Sequence, residues 1–114
     1  MSRVDFRELV LSLPETIEKE AWGRPTFRVR NKMFAIAAVD LSACTVKSTL
    51  DEQRALTQME PDTFSVPAYV GKYGWIGIAI DRVDPGELRE LTIEAWRMTA
   101  PKRLVRPWDD EHPV

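Results

Sequence analysis

From Thr16 to Lys47 the chain alternates in period two through four short segments joined by links of two to four residues. Period two marks strands, and links this short allow hairpins but no crossover helix. The segment therefore predicts an antiparallel meander, and everything else must pack around it. In Thr16–Ala21, Ile17, Lys19 and Ala21 alternate with Glu18 and Glu20. An inward Lys19 suits a half-buried edge strand. Trp22-Gly23-Arg24-Pro25 reads as a turn or bulge. Phe27 and Val29 then take one side, with Thr26, Arg28 and Arg30 on the other. Asn31 tolerates positive φ, which places the next hairpin turn at Asn31-Lys32. Residues 33–40 are almost wholly apolar and read as a central strand whose alanine-rich side lets a helix pack close. Asp40-Leu41-Ser42 turns the chain into Ala43–Lys47, with Cys44 and Val46 inward.

Helices flank this core. Phe6, Leu9, Val10 and Leu13 form one apolar stripe, with Ser2 as N-cap and Pro14 as the stop. Thr49-Leu50-Asp51-Glu52 has the form of a capping box and opens a helix ending near Met59. Residues 62–74 are irregular, because Pro67, Gly71 and Gly74 exclude a long helix. Ile76, Ile78 and Ile80 alternate as a fifth strand, with Trp75, Gly77 and Ala79 outward. Asp84-Pro85-Gly86-Glu87 starts a last helix that Pro101 limits. The expected fold is α+β: a two-layer sandwich in the order α-β-β-β-β-α-β-α, with an antiparallel sheet of about five strands and helices on one face. Residues 1–103 form the domain, and 104–114 form a charged, Pro-containing tail that frays.

Composition narrows function mainly by exclusion. The 114 residues suit a single domain, and one cysteine forbids an intrachain disulfide and fits a reducing compartment. No apolar run approaches membrane-spanning length and no signal-peptide pattern opens the chain, so the expectation is a cytoplasmic protein without a membrane partner. Net charge is −2, yet residues 24–47 hold five basic side chains against Asp40 alone. Such a block can hold an anion locally, while the acidic whole gives no long-range pull toward DNA.

The residues that could act are Arg24, Arg28, Arg30, Lys32, Lys47, Lys72 and Lys102, as phosphate contacts, with Tyr69 or Trp75 stacking on a base. Trp22 beside its Gly/Pro turn could wall a cleft, or it could cap the core, where most tryptophans are largely buried. The arginines could equally pair with Glu18 and Glu20 on neighbouring strands. Gly71-x-x-Gly74-x-x-Gly77 precedes a strand and lacks the Gly-Lys-Ser/Thr ending, so it is no phosphate loop. Cys44 has apolar neighbours and no base in reach, which makes it a structural thiol. His112 with Asp109, Asp110 and Glu111 lies in the tail without preorganised ligand geometry, so no metal is expected. Glu18 and Glu20 read as solvated carboxylates. No catalytic residue and no cofactor are assigned, and an enzyme is not expected.

Five motifs run through the chain in order: Leu13-Pro14 with Glu20, Trp22-Gly23-x-Pro25-Thr26-Phe27-x-Val29, Lys32-Met33-Phe34-Ala35, Pro67-x-Tyr69-x-Gly71-Lys72-x-Gly74-Trp75-Ile76 and Ala100-Pro101-Lys102. In these motifs the chain resembles the MmcQ/YjbR family. The resemblance implies a two-layer α+β fold of the CyaY-like or secretion-chaperone-like kind. It also implies the DNA-binding label that family members carry through a double-wing motif. Ala68 stands where many relatives place a lysine, which removes one cation from that motif. Two functions are therefore expected as alternatives. One is weak nucleic-acid or anion binding through the basic hairpin. The other is a non-enzymatic adaptor for a protein or small molecule.

Overall fold

The computed structural model describes residues 2–113. It builds four helices and a six-stranded sheet: α1 (Arg3–Ser12), β1 (Thr16–Ala21), β2 (Arg24–Val29), β3 (Lys32–Ala37), β4 (Ala43–Val46), α2 (Leu50–Met59), β5 (Phe64–Ser65), a 3-10 turn (Val70–Tyr73), β6 (Ile76–Ala79), α3 (Pro85–Thr99) and α4 (Lys102–Glu111). The strands are ordered β1-β2-β3-β4-β6-β5 and every neighbouring pair is antiparallel. The α+β class and the meander stand as expected. The sixth strand is new: β5 has only two residues, too few to leave a period, and exists through its pairing with β6.

Local chemistry accounts for the helix boundaries. Ser2 Oγ accepts from Asp5 N while Asp5 returns a bond to Ser2 N, a complete capping box at α1. Thr49 and Asp84 cap α2 and α3 in the same position, accepting from Glu52 N and Glu87 N. Both hairpin turns are tight two-residue turns with positive φ at each central residue, Trp22-Gly23 and Arg30-Asn31. The second lies one residue earlier than Asn31-Lys32, because Val29 pairs with Lys32.

The helices cover one face, with α1 against β1 and α3 against β3 and β4. The inward row runs Glu18, Phe27, Ala35, Val46, Ile76 across five strands. Ala35 and Ala37 are buried on the side α3 covers, so small side chains let it approach. Phe34 breaks the alternation. The register shifts between Phe27 and Arg28, leaving Phe34 as an extra residue, and both Phe34 and Ala35 are buried. The edge strand β1 is the other departure. Glu18, not Lys19, turns to the helices, where Arg7 binds it at 2.9 and 3.1 Å. Ile17 and Lys19 are exposed on the opposite face.

The expected fraying tail is a helix through Glu111, despite Pro107 inside it. Trp108 meets the buried Trp96 with ring centroids 5.6 Å apart, and Asp109 takes two bonds from Arg97 at 3.0 and 2.9 Å. Pro107 is the sixth residue of α4, past the first turn where proline is tolerated, so the bond it forgoes and its ring clash, about 3 kcal/mol in a helix interior, are offset by these tertiary contacts. The expected boundary at 103/104 falls within α4, and the outermost residues of that division, Met1 and Val114, lie outside the described residues.

Candidate functional site: the open face of the sheet

The face turned away from the helices is crossed by a trough of about 1040 Å³. Its central row follows from the pairing: Thr26, Ile36, Thr45, Gly77 and Ser65 lie opposite one another on successive strands. A second row brings Ala38, Ala43 and Ala79 together, since Ala38 N bonds Ala43 O and Ala43 pairs with Ala79. Thr26 is buried at the edge of this row with its hydroxyl donating to Lys19 O, so the open floor is methyl and methylene groups with two hydroxyls, those of Thr45 and Ser65. A Cβ on Gly77 would stand 2.6 Å from Ser65 Oγ, so a side chain here would displace the Ser65 hydroxyl from its place on the floor.

Two aromatic side chains stand at the ends of this trough, both on strained backbone. Trp22 occupies the first position of the β1–β2 turn at φ 55° and is 77% exposed. Tyr69 sits at φ 62°, ψ −61° and is 91% exposed, with Val70 N bonding Ala68 O at 2.7 Å across it. That is a γ-turn of the rare positive-φ kind. Left-handed backbone costs a side-chain-bearing residue about 1–2 kcal/mol, and glycine or asparagine is the usual occupant. Of the two readings of Trp22, cleft wall and core cap, its exposure removes the core cap, and the side chain lines the trough.

The loop that carries Tyr69 is held rigidly from behind. Buried Gln53 of α2 donates to both Gly71 O and Trp75 O, at 2.8 and 2.6 Å. Gly74 ends the 3-10 turn at φ 96°, and a Cβ there would lie 2.8 Å from the backbone of Thr49 and Leu50. Only glycine fits. Trp75, expected outward and available for stacking, is drawn in at this junction and is only 7% exposed. It has no free ring face to offer.

The expected basic surface does not assemble on one face. Arg24 lines the trough beside Trp22 and, among the described residues, is its only charged lining residue. Arg28 lies on the same face, and its Nε donates to Thr26 Oγ1. Lys19 is opposite Thr26 in the pairing. Among the described residues no carboxylate forms an ion pair with Lys19, Arg24 or Arg28. Arg30 is different: at the far hairpin tip it bonds Glu15 at 2.5 and 3.0 Å, which holds the Glu15 carboxyl below its usual range. Lys32 shares that tip. Six residues of β2 separate it from Arg24, about 17–20 Å. Lys47 lines a second groove of about 1060 Å³ between α2, α3 and α4, among Glu52, Glu87 and Glu90. Partial burial, and after it the neighbouring carboxylates, push the Glu87 carboxyl up. Lys72 lies over the Tyr73 ring at 5.2 Å, and Lys102 opens α4.

Neither groove gathers catalytic chemistry. Cys44 is buried in β4 and burial pushes its thiol up, away from nucleophilic thiolate. Among the described residues no three His, Cys, Asp or Glu side chains converge for a metal. His112 stacks on Trp108 at 3.7 Å and its ring nitrogen bonds Trp108 O. No described helix is long and apolar enough to cross a membrane.

What sequence reasoning missed was the trough itself. The signal was present in Ile36, Ala38 and Ala43, apolar residues alternating with the core set. Ile36 and Ala38 read as part of a central strand buried on both sides, and Ala43 carried no burial reading, but no described helix lines the second side.

The geometry can be set beside known proteins. The crystal structure of Deinococcus radiodurans protein DR2400, which carries the domain described as DUF419, superposes with a TM-score of 0.76. It shares 20% identity, with 83% of this chain and 75% of that chain covered. At that identity the likeness speaks for the fold. Among curated proteins no significant match is found. The family model described as YjbR matches residues 11–98, from the end of α1 to the last turn of α3, and the chain thus belongs to the MmcQ/YjbR family.

Proposed function

We propose that this protein is a non-covalent binding module that holds a partner on the open face of its sheet, between the Trp22 turn and the Tyr69 loop. One observation carries the reading: two exposed aromatic side chains, each on backbone that costs free energy, stand at the ends of a single apolar trough. Strain of this kind is retained where surrounding structure enforces it, and it gathers at ligand clamps. Apolar concavities with a few placed polar groups are the usual form of binding sites. The adaptor reading therefore takes precedence over catalysis.

Nucleic-acid binding is the second reading, and Lys19, Arg24 and Arg28 favour it, being cationic on one face without carboxylate partners. Against it stands the division of the remaining basic residues among a hairpin tip, an acidic groove and α4. A contact set of three cations would lose about 40-fold in affinity between 50 and 200 mM salt.

Hydroxyl-radical footprinting of the protein in buffer and in extract of its source cells tests the reading. The expected result is protection of Trp22 and Tyr69, with Met59 and Met98, exposed on α2 and α3, unchanged. Equal labelling in both media, or protection of the methionines alone, overturns it. Protection that disappears after nuclease treatment moves the assignment to nucleic acid.

A further inference from the structure

The dimensions and the charge of the trough point to the class of its occupant. We infer that the open face takes a short extended peptide segment with alternating apolar side chains and an acidic residue at the Trp22 end. This inference rests on the open-face reading and goes one step beyond it.

Length comes first. Trp22 sits where β1 turns into β2, and Tyr69 follows β5, four interstrand spacings away in the order β2-β3-β4-β6-β5. At about 4.8 Å per spacing that is roughly 19 Å, or about six residues of extended chain at ~3.3 Å each. A single-ring metabolite would leave most of this length empty. The occupant is a linear chain.

The floor then separates the two common kinds of chain. Surfaces that bind single-stranded nucleic acid place aromatic rings on the central strands, where successive bases stack. Here the central strands β3, β4 and β6 offer Ile36, Ala38, Ala43 and Gly77, and the rings stand only at the ends. Alkyl floors receive alkyl and aromatic side chains, and the sheet's own amides are already paired in its ladders. Side chains at alternate positions of an extended peptide point the same way, so every second one can reach the floor.

Charge fixes the polarity. Among the described residues Arg24 is the only charged lining residue, and Lys19 and Arg28 share its end of the face. The Tyr69 end is built from Pro67, Ala68 and Val70 and carries no charge. A carboxylate beside Arg24 gains a charge-assisted bond, whereas a lysine there meets repulsion.

The test uses the full chain and three pools of blocked, fluorescein-labelled hexapeptides. The pools share alternating Leu, Phe or Val and Ser positions and differ only in the terminal residue, acidic, Gln or Arg. Hexathymidylate serves as a fourth probe. Anisotropy at physiological salt gives affinity, and amide chemical shifts give location. The expected result is tightest binding by the acidic pool, with shifts at Trp22, Ile36, Ala43 and Tyr69. Arg24→Glu should reverse the order of the acidic and Arg pools. Trp22→Gly should weaken the acidic pool about tenfold or more, as loss of an aromatic anchor does. Its urea midpoint should stay equal or rise, because glycine accepts the turn's positive φ without strain. Equal binding by all three pools at those residues, or an order unmoved by Arg24→Glu, overturns the peptide inference and leaves the open-face reading intact. Shifts there with hexathymidylate alone replace peptide by nucleic acid. Binding that maps elsewhere, or no binding by any probe, overturns the inference. Footprinting that also leaves Trp22 and Tyr69 unprotected then removes the open-face reading.

Discussion

The two faces of this sheet are made by alternate residues of the same strands, and they have been given opposite tasks. On one face Phe27, Val29, Ala35, Val46 and Ile76 are buried under α1 and α3. On the other, Ile36, Ala38 and Ala43 are equally apolar, but no described helix lines the trough they form. A monomeric sheet with one solvated face normally alternates apolar with polar. Here the charge on the second face gathers at its Lys19, Arg24 and Arg28 side and the rest of the trough is apolar but for the Thr45 and Ser65 hydroxyls, and the contrast locates the surface whose chemistry stability does not explain. Stability experiments can break this contrast directly. Phe27→Ala should cost about 3–5 kcal/mol in urea unfolding, since it deletes a fully buried ring that meets Phe6 edge-on at 6.1 Å. Ile36→Ala, next to the same β2–β3 pairing but facing the trough, should cost less than about 1 kcal/mol, as no enclosed cavity forms. Similar costs for the two would mean that the open face is core after all.

The covered face was legible in the sequence because burial leaves a period. Phe6, Leu9, Val10 and Leu13 announced α1, and the isoleucines of β6 and the three N-caps stood where they were read. That the helices leave one face open was expected; the trough on that face was not legible, for the physical reason that its members are brought together across strands. Trp22 and Tyr69 are 47 positions apart, and nothing local tells an exposed tryptophan in a tight turn from one that caps a core. The basic residues show the reverse error. Arg24, Arg30 and Lys47 look clustered in sequence, but the two ends of β2 hold Arg24 and Arg30 apart, and Lys47 lines the groove on the helix side. The short strand β5, the bulge at Phe34 and helix α4 depend on pairing and packing partners distant in sequence, which local propensity does not encode.

Between the two faces lies a junction that serves both, and Gln53 is its centre. Its amide satisfies two carbonyls, of Gly71 and Trp75, at the point where the Tyr69 loop meets α2 and β6. Gln53→Leu keeps the volume but leaves both acceptors buried without a donor, at a cost of about 1–3 kcal/mol. The distribution of the loss is more telling than its size. Amide exchange should accelerate over residues 66–75 beyond what global unfolding explains, while β2–β3 follows the global value. Partner affinity on the open face should fall with it, because Tyr69 would no longer be held in its strained turn. Uniform acceleration throughout the chain would show that the loop is merely part of the core.

The smallest effect concerns α4, which lies beyond the family match and belongs wholly to the covered side. Its Asp109 carboxylate takes two hydrogen bonds from Arg97, which hold it below the usual carboxylate range. A carboxylate whose pKa is lower folded than unfolded contributes stability that is complete above the unfolded value and disappears as pH falls through the folded one. The docking of α4 should therefore persist at mildly acidic pH and weaken only below the ordinary aspartate range. Both partners are substantially exposed, so the contribution is small and screened by salt. The emission of Trp108, packed on Trp96, should report that weakening, and Asp109→Asn should remove the part of the acid step that this carboxylate supplies and leave a weaker contact, with Glu94 still on Arg97. Quenching of the exposed Trp22 by acrylamide should not change over the same range. If Trp22 responded together with Trp108, the two faces would be coupled through the sheet, and the helix side would have a part in controlling what the open side binds.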